Sequence, residues 1–270
     1  MRSWPQDRPL SRSFDVRFGR NRPVARSPRL SLKNYLTKAL PSPPPACNYQ
    51  RKARETLQKI YGNDVLGDCV IAGMAHTVGV LTGNAGDQFY YDPGEIVAMY
   101  SAIGGYIPGN GATDNGCDEV TALNYWREKG APSGVHNIAG YLAVDPANIE
   151  EYRTALWLFE NLFFGLELPD EYVNPFPSAS GFVWSVAGEP DPNNGHCIVG
   201  VGYDSTGVAI STWGMTGLMS DAALSKYCAA SAGGALYTVL SQDAIAKATL
   251  KAPNGFDFSQ LTADFQAIGG

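Results

Sequence analysis

Between Asn63 and Gly83 the chain passes from a polar, turn-prone run (Gly62, Asn63, Asp64, Gly67, Asp68) into residues that are apolar or small at nearly every position. Val70, Ile71, Met74, Val78 and Leu81 recur at helical spacing, with Ala72, Gly73, Ala75 and Gly79 keeping the surface narrow. The pattern predicts a helix buried on all sides, with Asp68 as its candidate N-cap. Shorter periodic runs predict helices over 51–61, 95–102, 118–129, 149–162, 221–230 and 243–250. Alternating or continuous apolar runs predict strands over 163–169, 196–204, 208–213 and 235–241, the middle two joined by the turn Ser205-Thr206-Gly207. Residues 84–94, 104–116 and 169–195 read as loops. Helices fall mostly in the first half and strands mostly in the second, the signature of an α+β fold whose halves face each other.

Charge divides the chain differently. Residues 1–40 hold eight Arg and two Lys against Asp7 and Asp15, a net of +8, whereas the remainder holds ten basic and 24 acidic residues. Pro-Ser-Pro-Pro-Pro at 41–45 follows as a stiff spacer. The expected organisation is an Arg/Pro-rich extended arm over 1–45, a body over 46–250 and a C-terminal tail over 251–270. The arm's large residues, Trp4, Leu10, Phe14, Phe18, Leu30, Leu32 and Tyr35, are spaced as separate anchors rather than as one core. An acidic partner surface is the expected dock for residues 1–45, with a pro-segment folded over the chain's own acidic cleft as the rival. Nucleic acid is a conceivable partner for the arm and not for the acidic body. No apolar run reaches membrane-spanning length. Five scattered cysteines without CxxC spacing weigh against a zinc ribbon or a disulfide scaffold, and no phosphate loop is present, so no cofactor is expected.

Cys69 falls in the first turn of the buried helix, where the helix dipole and free N–H groups favour a thiolate; a small buried hydrophobe is the plainer reading of such a residue. A nucleophilic thiol needs an imidazole within hydrogen-bond reach, and the imidazole needs a third group to fix its tautomer. His76 lies two turns along the same helix, about 10 Å away by helical rise, and His136 lies in a loop. His196 opens an apolar strand and is the remaining choice. Asp114, Asp118 and Glu119 could suggest a cation loop, but a solvated loop with an N-cap fits them better.

The order of these features resembles the papain-like cysteine peptidases over roughly residues 60–241. Cys69 opening the central helix is followed by NGCDEVTALNYWREKG, then HCIVGVGY at 196–203 and STWG at 211–214. The resemblance implies a two-lobed fold in which the central helix faces an antiparallel, strand-rich half. It also implies a peptide or amide substrate, with Cys69 as nucleophile, His196 as base and then acid, Ser211 as the group orienting the imidazole, and Asn63 with the Cys69 N–H as oxyanion donors. Three positions depart from the family's pattern: Asn63 stands for a Gln, Ser211 for an Asn, and Val70 for an aromatic residue. The alternative is a non-catalytic assembly protein of a large particle, such as a phage virion, using the same scaffold and the arginine-rich arm as a tether.

Overall fold

A computed structural model describes residues 16–23, 30–131 and 136–267. Its helices are α1 (Arg54–Leu57), α2 (Cys69–Ala85), α3 (Pro93–Gly104), α4 (Glu119–Lys129), α5 (Ile149–Phe159), α6 (Asp221–Tyr227), α7 (Gln242–Lys251) and α8 (Phe258–Ala267). The strands are β1 (Cys47–Asn48), β2 (Gly140–Ala143), β3 (Leu162–Glu167), β4 (Phe182–Trp184), β5 (Gly195–Asp204), β6 (Gly207–Thr212), β7 (Met215–Met219) and β8 (Ala235–Leu240). They form one eight-stranded sheet in the order β2-β8-β3-β5-β6-β7-β4, antiparallel except where β4 joins β7, with β1 also on β5.

The sheet separates two cores. Because successive side chains of a strand point to opposite faces, β3 sends Phe163 to one side and Leu162, Phe164 and Leu166 to the other. β5 likewise sends Cys197, Val199 and Val201 toward α2, α3 and α4, and Ile198 toward the layer containing α5 and α8. All six residues of β3 are buried, which is why 163–169 reads as a continuous apolar run as much as an alternating one. α2 lies against the inner face, and it is buried at all but three of its 17 positions. Its small residues set how close it comes. A Cβ at Gly73 would stand 3.0 Å from both Cys197 Sγ and Phe163, and one at Gly79 would stand 2.4 Å from the Thr56 side chain.

The α+β architecture agrees with the sequence reading, and the differences have local causes. α5 stops at Phe159 because Glu160 turns left-handed (φ 67°) and Asn161 bonds Val239 through both ends of its amide. The loop expected over 169–195 contains β4, and the short strands β1, β2 and β7 lack a long enough pattern to stand out. The expected boundaries at 45 and 250 do not coincide with edges of the core. Leu32 and Tyr35 are buried in the outer layer, Tyr35 donates to Asp264 (2.6 Å), and Leu36 bridges Phe256. α8 packs there through Leu261 and Phe265. Trp4, Leu10 and Phe14 lie outside the described residues. No helix among the described residues is long and apolar enough to cross a membrane.

The close approach of α2 to α1 makes Gly79 a test of this packing. Gly79→Val should lower the free energy of urea unfolding by about 1–3 kcal/mol through overpacking against Thr56. Thr56→Ala in the same chain should recover part of that loss.

Candidate active-site cleft

The turn over residues 62–68 delivers the chain into α2. Asn63 is buried and its Nδ2 donates to Leu66 O (3.2 Å), so the amide expected to meet an oxyanion is engaged within its own turn. Asp68 occupies the N-cap position but its side chain makes no capping bond. Its carboxyl is fully buried and has no close hydrogen-bond partner. Burial therefore pushes its pKa well above the usual carboxylate range, opposed weakly by the nearby Asn63 amide. The turn is tied to the 111–117 loop by Asp114, whose Oδ1 accepts from Gly67 N (2.9 Å) and from Tyr100 OH (2.7 Å). Asp114 is thus a buried tie rather than part of a solvated loop. Asp118 caps α4 by accepting from Thr121 N (3.0 Å). No cluster of metal-ligating side chains occurs among the described residues.

Cys69 is the first residue of α2 and is fully buried. The backbone N–H groups of Cys197 and Gly19 point at its sulfur, yet burial dominates and drives the thiol up to about 12. Cys197 is the neighbour of His196 on β5, so the strand that carries the imidazole also reaches the thiol. His196 is fully buried, and its ring lies flat on Trp213, 4.1 Å between centroids at 13°. Its Nε2 is 2.6 Å from Thr212 Oγ1, while Nδ1 has no hydrogen bond. Burial depresses the imidazole to about 3.

The hydroxyl on the ring is therefore Thr212's, and the Oγ of Ser211, the residue expected to orient it, makes no hydrogen bond. Alternation explains the exchange. Ser211 stands opposite Val199, on the face toward α2, whereas Thr212 shares the face of His196 and Ile198. The β6–β7 turn completes this wall. Trp213 (φ 49°) and Gly214 (φ 71°) are both left-handed between the paired residues Thr212 and Met215, as a two-residue hairpin requires. Trp213 pays backbone strain for its place under the imidazole. Of the other histidines, His76 Nε2 meets Lys59 O (2.9 Å), and His136 packs on Phe89.

Residues 16–23 of the arm lie across these groups. Phe18 sets its ring edge-on to both His196 and Trp213, at 6.1 and 6.5 Å. Gly19 passes so close to the turn that a Cβ there would stand 1.7 Å from Gly67 O. Gly19 O accepts from Cys117 N (2.9 Å), Asn21 N donates to Cys117 O (3.0 Å), and Arg20 N donates to Gly195 O (3.0 Å). Gly116, at φ 69°, leaves room for the carbonyl of Gly19. Three ion pairs fasten the segment: Arg17 to Asp114 (3.0 Å), Arg20 to Glu119 (2.7 Å) and Arg22 to Glu167. The acidic surface that the described part of the arm meets is the chain's own.

Searches by sequence found no matching family model and no matching curated protein. Structural comparison did. Xylellain, a cysteine protease from Xylella fastidiosa, superposes with a TM-score of 0.62 at 14% identity, over 86% of this chain and 98% of that one. The digestive procathepsin L 3 of Tenebrio molitor larval midgut gives 0.54 at 13% identity, over 78% and 76%. A structure from a study of the mite allergens Blo t 1 and Der p 1 gives 0.53 at 14%, over 76% and 74%. The fold is papain-like.

Of the residues singled out from the sequence, Cys69 opens α2 and His196 lies on β5, whose Cys197 N–H points at the Cys69 sulfur; Thr212 and Glu119 are not singled out for these places. Thr212 was visible only as one letter of STWG. Parity with Val208 and Ile210 on one strand was the available signal that it shares the imidazole's face. Glu119 reads as an exposed first-turn acid, yet it is fully buried against Arg20. Burial favours the protonated thiol at Cys69 and the uncharged imidazole at His196.

Replacing the two hydroxyls separately tests the assignment. Thr212→Val should strip the imidazole of its one hydrogen bond and cost about 1–3 kcal/mol, the range for a buried polar group left unpaired. Nitrogen chemical shifts should report loss of a fixed ring tautomer in that variant. Ser211→Ala should change stability by less than about 0.5 kcal/mol, as expected of a side chain that bonds nothing, and leave the imidazole signals in place.

Proposed function

We propose that the chain is a thiol peptidase or amidase of the papain type, held closed by its own residues 16–23. The observation that carries this reading is the state of His196: buried, clamped on Trp213, bonded through Nε2 to Thr212, and with Nδ1 unengaged on the strand that reaches Cys69 Sγ. A ring whose Nε2–H donates to Thr212 Oγ1 keeps Nδ1 as an acceptor, the form a general base must have.

In the proposed reaction Cys69 Sγ attacks the carbonyl carbon of a bound peptide or amide as its proton passes to His196 Nδ1. The oxyanion meets the Cys69 N–H at the head of α2, and Asn63 joins it once its amide leaves Leu66 O. The protonated imidazole then gives its proton to the departing amine, leaving an acyl thioester on Cys69. Water, deprotonated by the same nitrogen, releases the acid and restores the thiol. Thr212 and Trp213 hold the ring through both halves of the cycle. Thr212 rather than Ser211 takes the orienting role, and a hydroxyl there still leaves the imidazole shorter of support than an amide carbonyl would.

The neutral pair of the closed cleft explains how the arm silences this chemistry. Phe18 and Gly19 exclude water from thiol and imidazole, and a thiol driven up to about 12 carries little thiolate near pH 7. An assembly role would rest on the composition of the arm alone, and its described residues are spent on the chain's own body.

The full-length chain and its Gly19→Val variant separate these states, because the added side chain collides with the backbone of Gly67. In the native chain, iodoacetamide labelling of Cys69 should be slow at pH 7 and rise about tenfold per pH unit as thiolate forms, toward a thiol pKa near 12. In Gly19→Val, labelling at pH 7 should be at least about tenfold faster, level off at lower pH, and be accompanied by peptide hydrolysis that His196→Ala removes. Fast labelling without hydrolysis in the opened chain would refute the peptidase reading.

A further inference from the structure

The side chain of Arg20 ends in a pocket built entirely by the body. Its Nε donates to Glu119 Oε1 (2.7 Å) and its Nη1 to Gly233 O (2.5 Å), with both charged side chains fully buried. The pocket exists because β3 has no side chain at residue 165: a Cβ there would stand 2.0 Å from Glu119 Oε1 and 2.7 Å from Arg20 Nη2. Gly233 is left-handed (φ 71°), and a Cβ there would collide with Glu167. Two glycines and the head of α4 thus shape a cavity around one guanidinium, next to the position where Gly19 meets Cys69.

From this geometry we infer that the Arg20 pocket is a substrate subsite selective for arginine, with Glu119 as its specificity-determining residue and Arg20 as a built-in occupant. The inference rests on the cleft being a peptide site, as proposed above. When the arm moves out, the carboxyl of Glu119 loses its counter-charge and must protonate or take another cation, so the empty pocket favours a cationic side chain. Two acceptors on different elements, a carboxylate oxygen and a backbone carbonyl, match the spread of a guanidinium. An ammonium, being a single point, can reach one and must forfeit the other. The backbone of Arg20 is held like that of a strand, by Gly195 O and on either side by Cys117, which are contacts any extended peptide can make. Arg22, paired with Glu167 but mostly exposed, adds a weaker preference for a second basic residue two positions away.

The test uses the full-length chain carrying Gly19→Val and Arg20→Ala, which opens the cleft and empties the pocket. Acetyl-Ala-Arg-Gly-amide and its lysine and norleucine analogues are titrated by calorimetry, and their hydrolysis is followed separately. The arginine peptide should bind at least about tenfold more tightly than the norleucine peptide, with lysine between them, as a buried charge-assisted hydrogen bond implies. Adding Glu119→Gln should erase the difference. Equal binding of arginine and norleucine peptides, or no binding of either, overturns the inference. The peptide comparison needs only the chain with Glu119 intact, so it decides even if Glu119→Gln fails to fold. Arginine-selective binding without hydrolysis would instead count against the peptidase reading and leave the subsite standing, whereas hydrolysis indifferent to arginine would do the reverse.

Discussion

The depth at which α2 seats against the sheet governs the placement of nearly everything else in the molecule. The helix has almost no polar face, so it can exist only with protein on every side, and its glycines at 73 and 79 let the backbone sit close to β5 and α1. That seating brings the first turn of the helix to β5, where the Cys197 N–H points at the Cys69 sulfur, at the seam between two separately packed cores. Helix and strand each have long buried stretches behind them, which hold their ends in place.

Burial is also what keeps the seam quiet. Both the thiol and the imidazole are shifted toward their neutral forms by desolvation, and the residues responsible for that desolvation include the segment lying across them. Access of water therefore bears on the protonation state of each group. The segment is fastened by three arginines to the buried carboxylates of Asp114, Glu119 and Glu167.

Much of the fold was legible because its central elements carry strong periodic signals. α2, β3 and β5 are long, apolar and bounded by turn residues, and the sequence places them within a residue or two. The short strands β1, β2, β4 and β7 are set by pairing partners far away in the chain, and two to five residues carry no period of their own. α8 and the stretch around Tyr35 read as tail and arm because each is polar on one face. They bury only against each other and the outer layer, a relation between the two ends that no local window contains. At the site, residue type and position single out Cys69, which opens α2, and His196, which lies on β5. Motif letters alone do not separate Thr212 from Ser211, because the pleat of β6 decides which hydroxyl turns to the ring. Glu119 was missed because a carboxylate on the first turn of a helix ordinarily faces water, and here an arginine from nearly one hundred residues earlier covers it.

The alternation along β5 has a consequence for how such a cleft can fail. His196 and Cys197 are adjacent and point to opposite faces, one into the seam and the other against Gly73 of α2. A slip of one residue in the pairing of β5 would therefore exchange the two side chains between faces, taking the imidazole off Trp213 and Thr212 and the Cys197 thiol away from Gly73 and Cys69. Against that slip stand six consecutive pairs to β3 on one edge and, on the other, a ladder to β6 interrupted by a single irregularity between Gly200 and Gly202. A register error cannot pass this irregularity without moving it, so the bulge works as a key that admits one alignment.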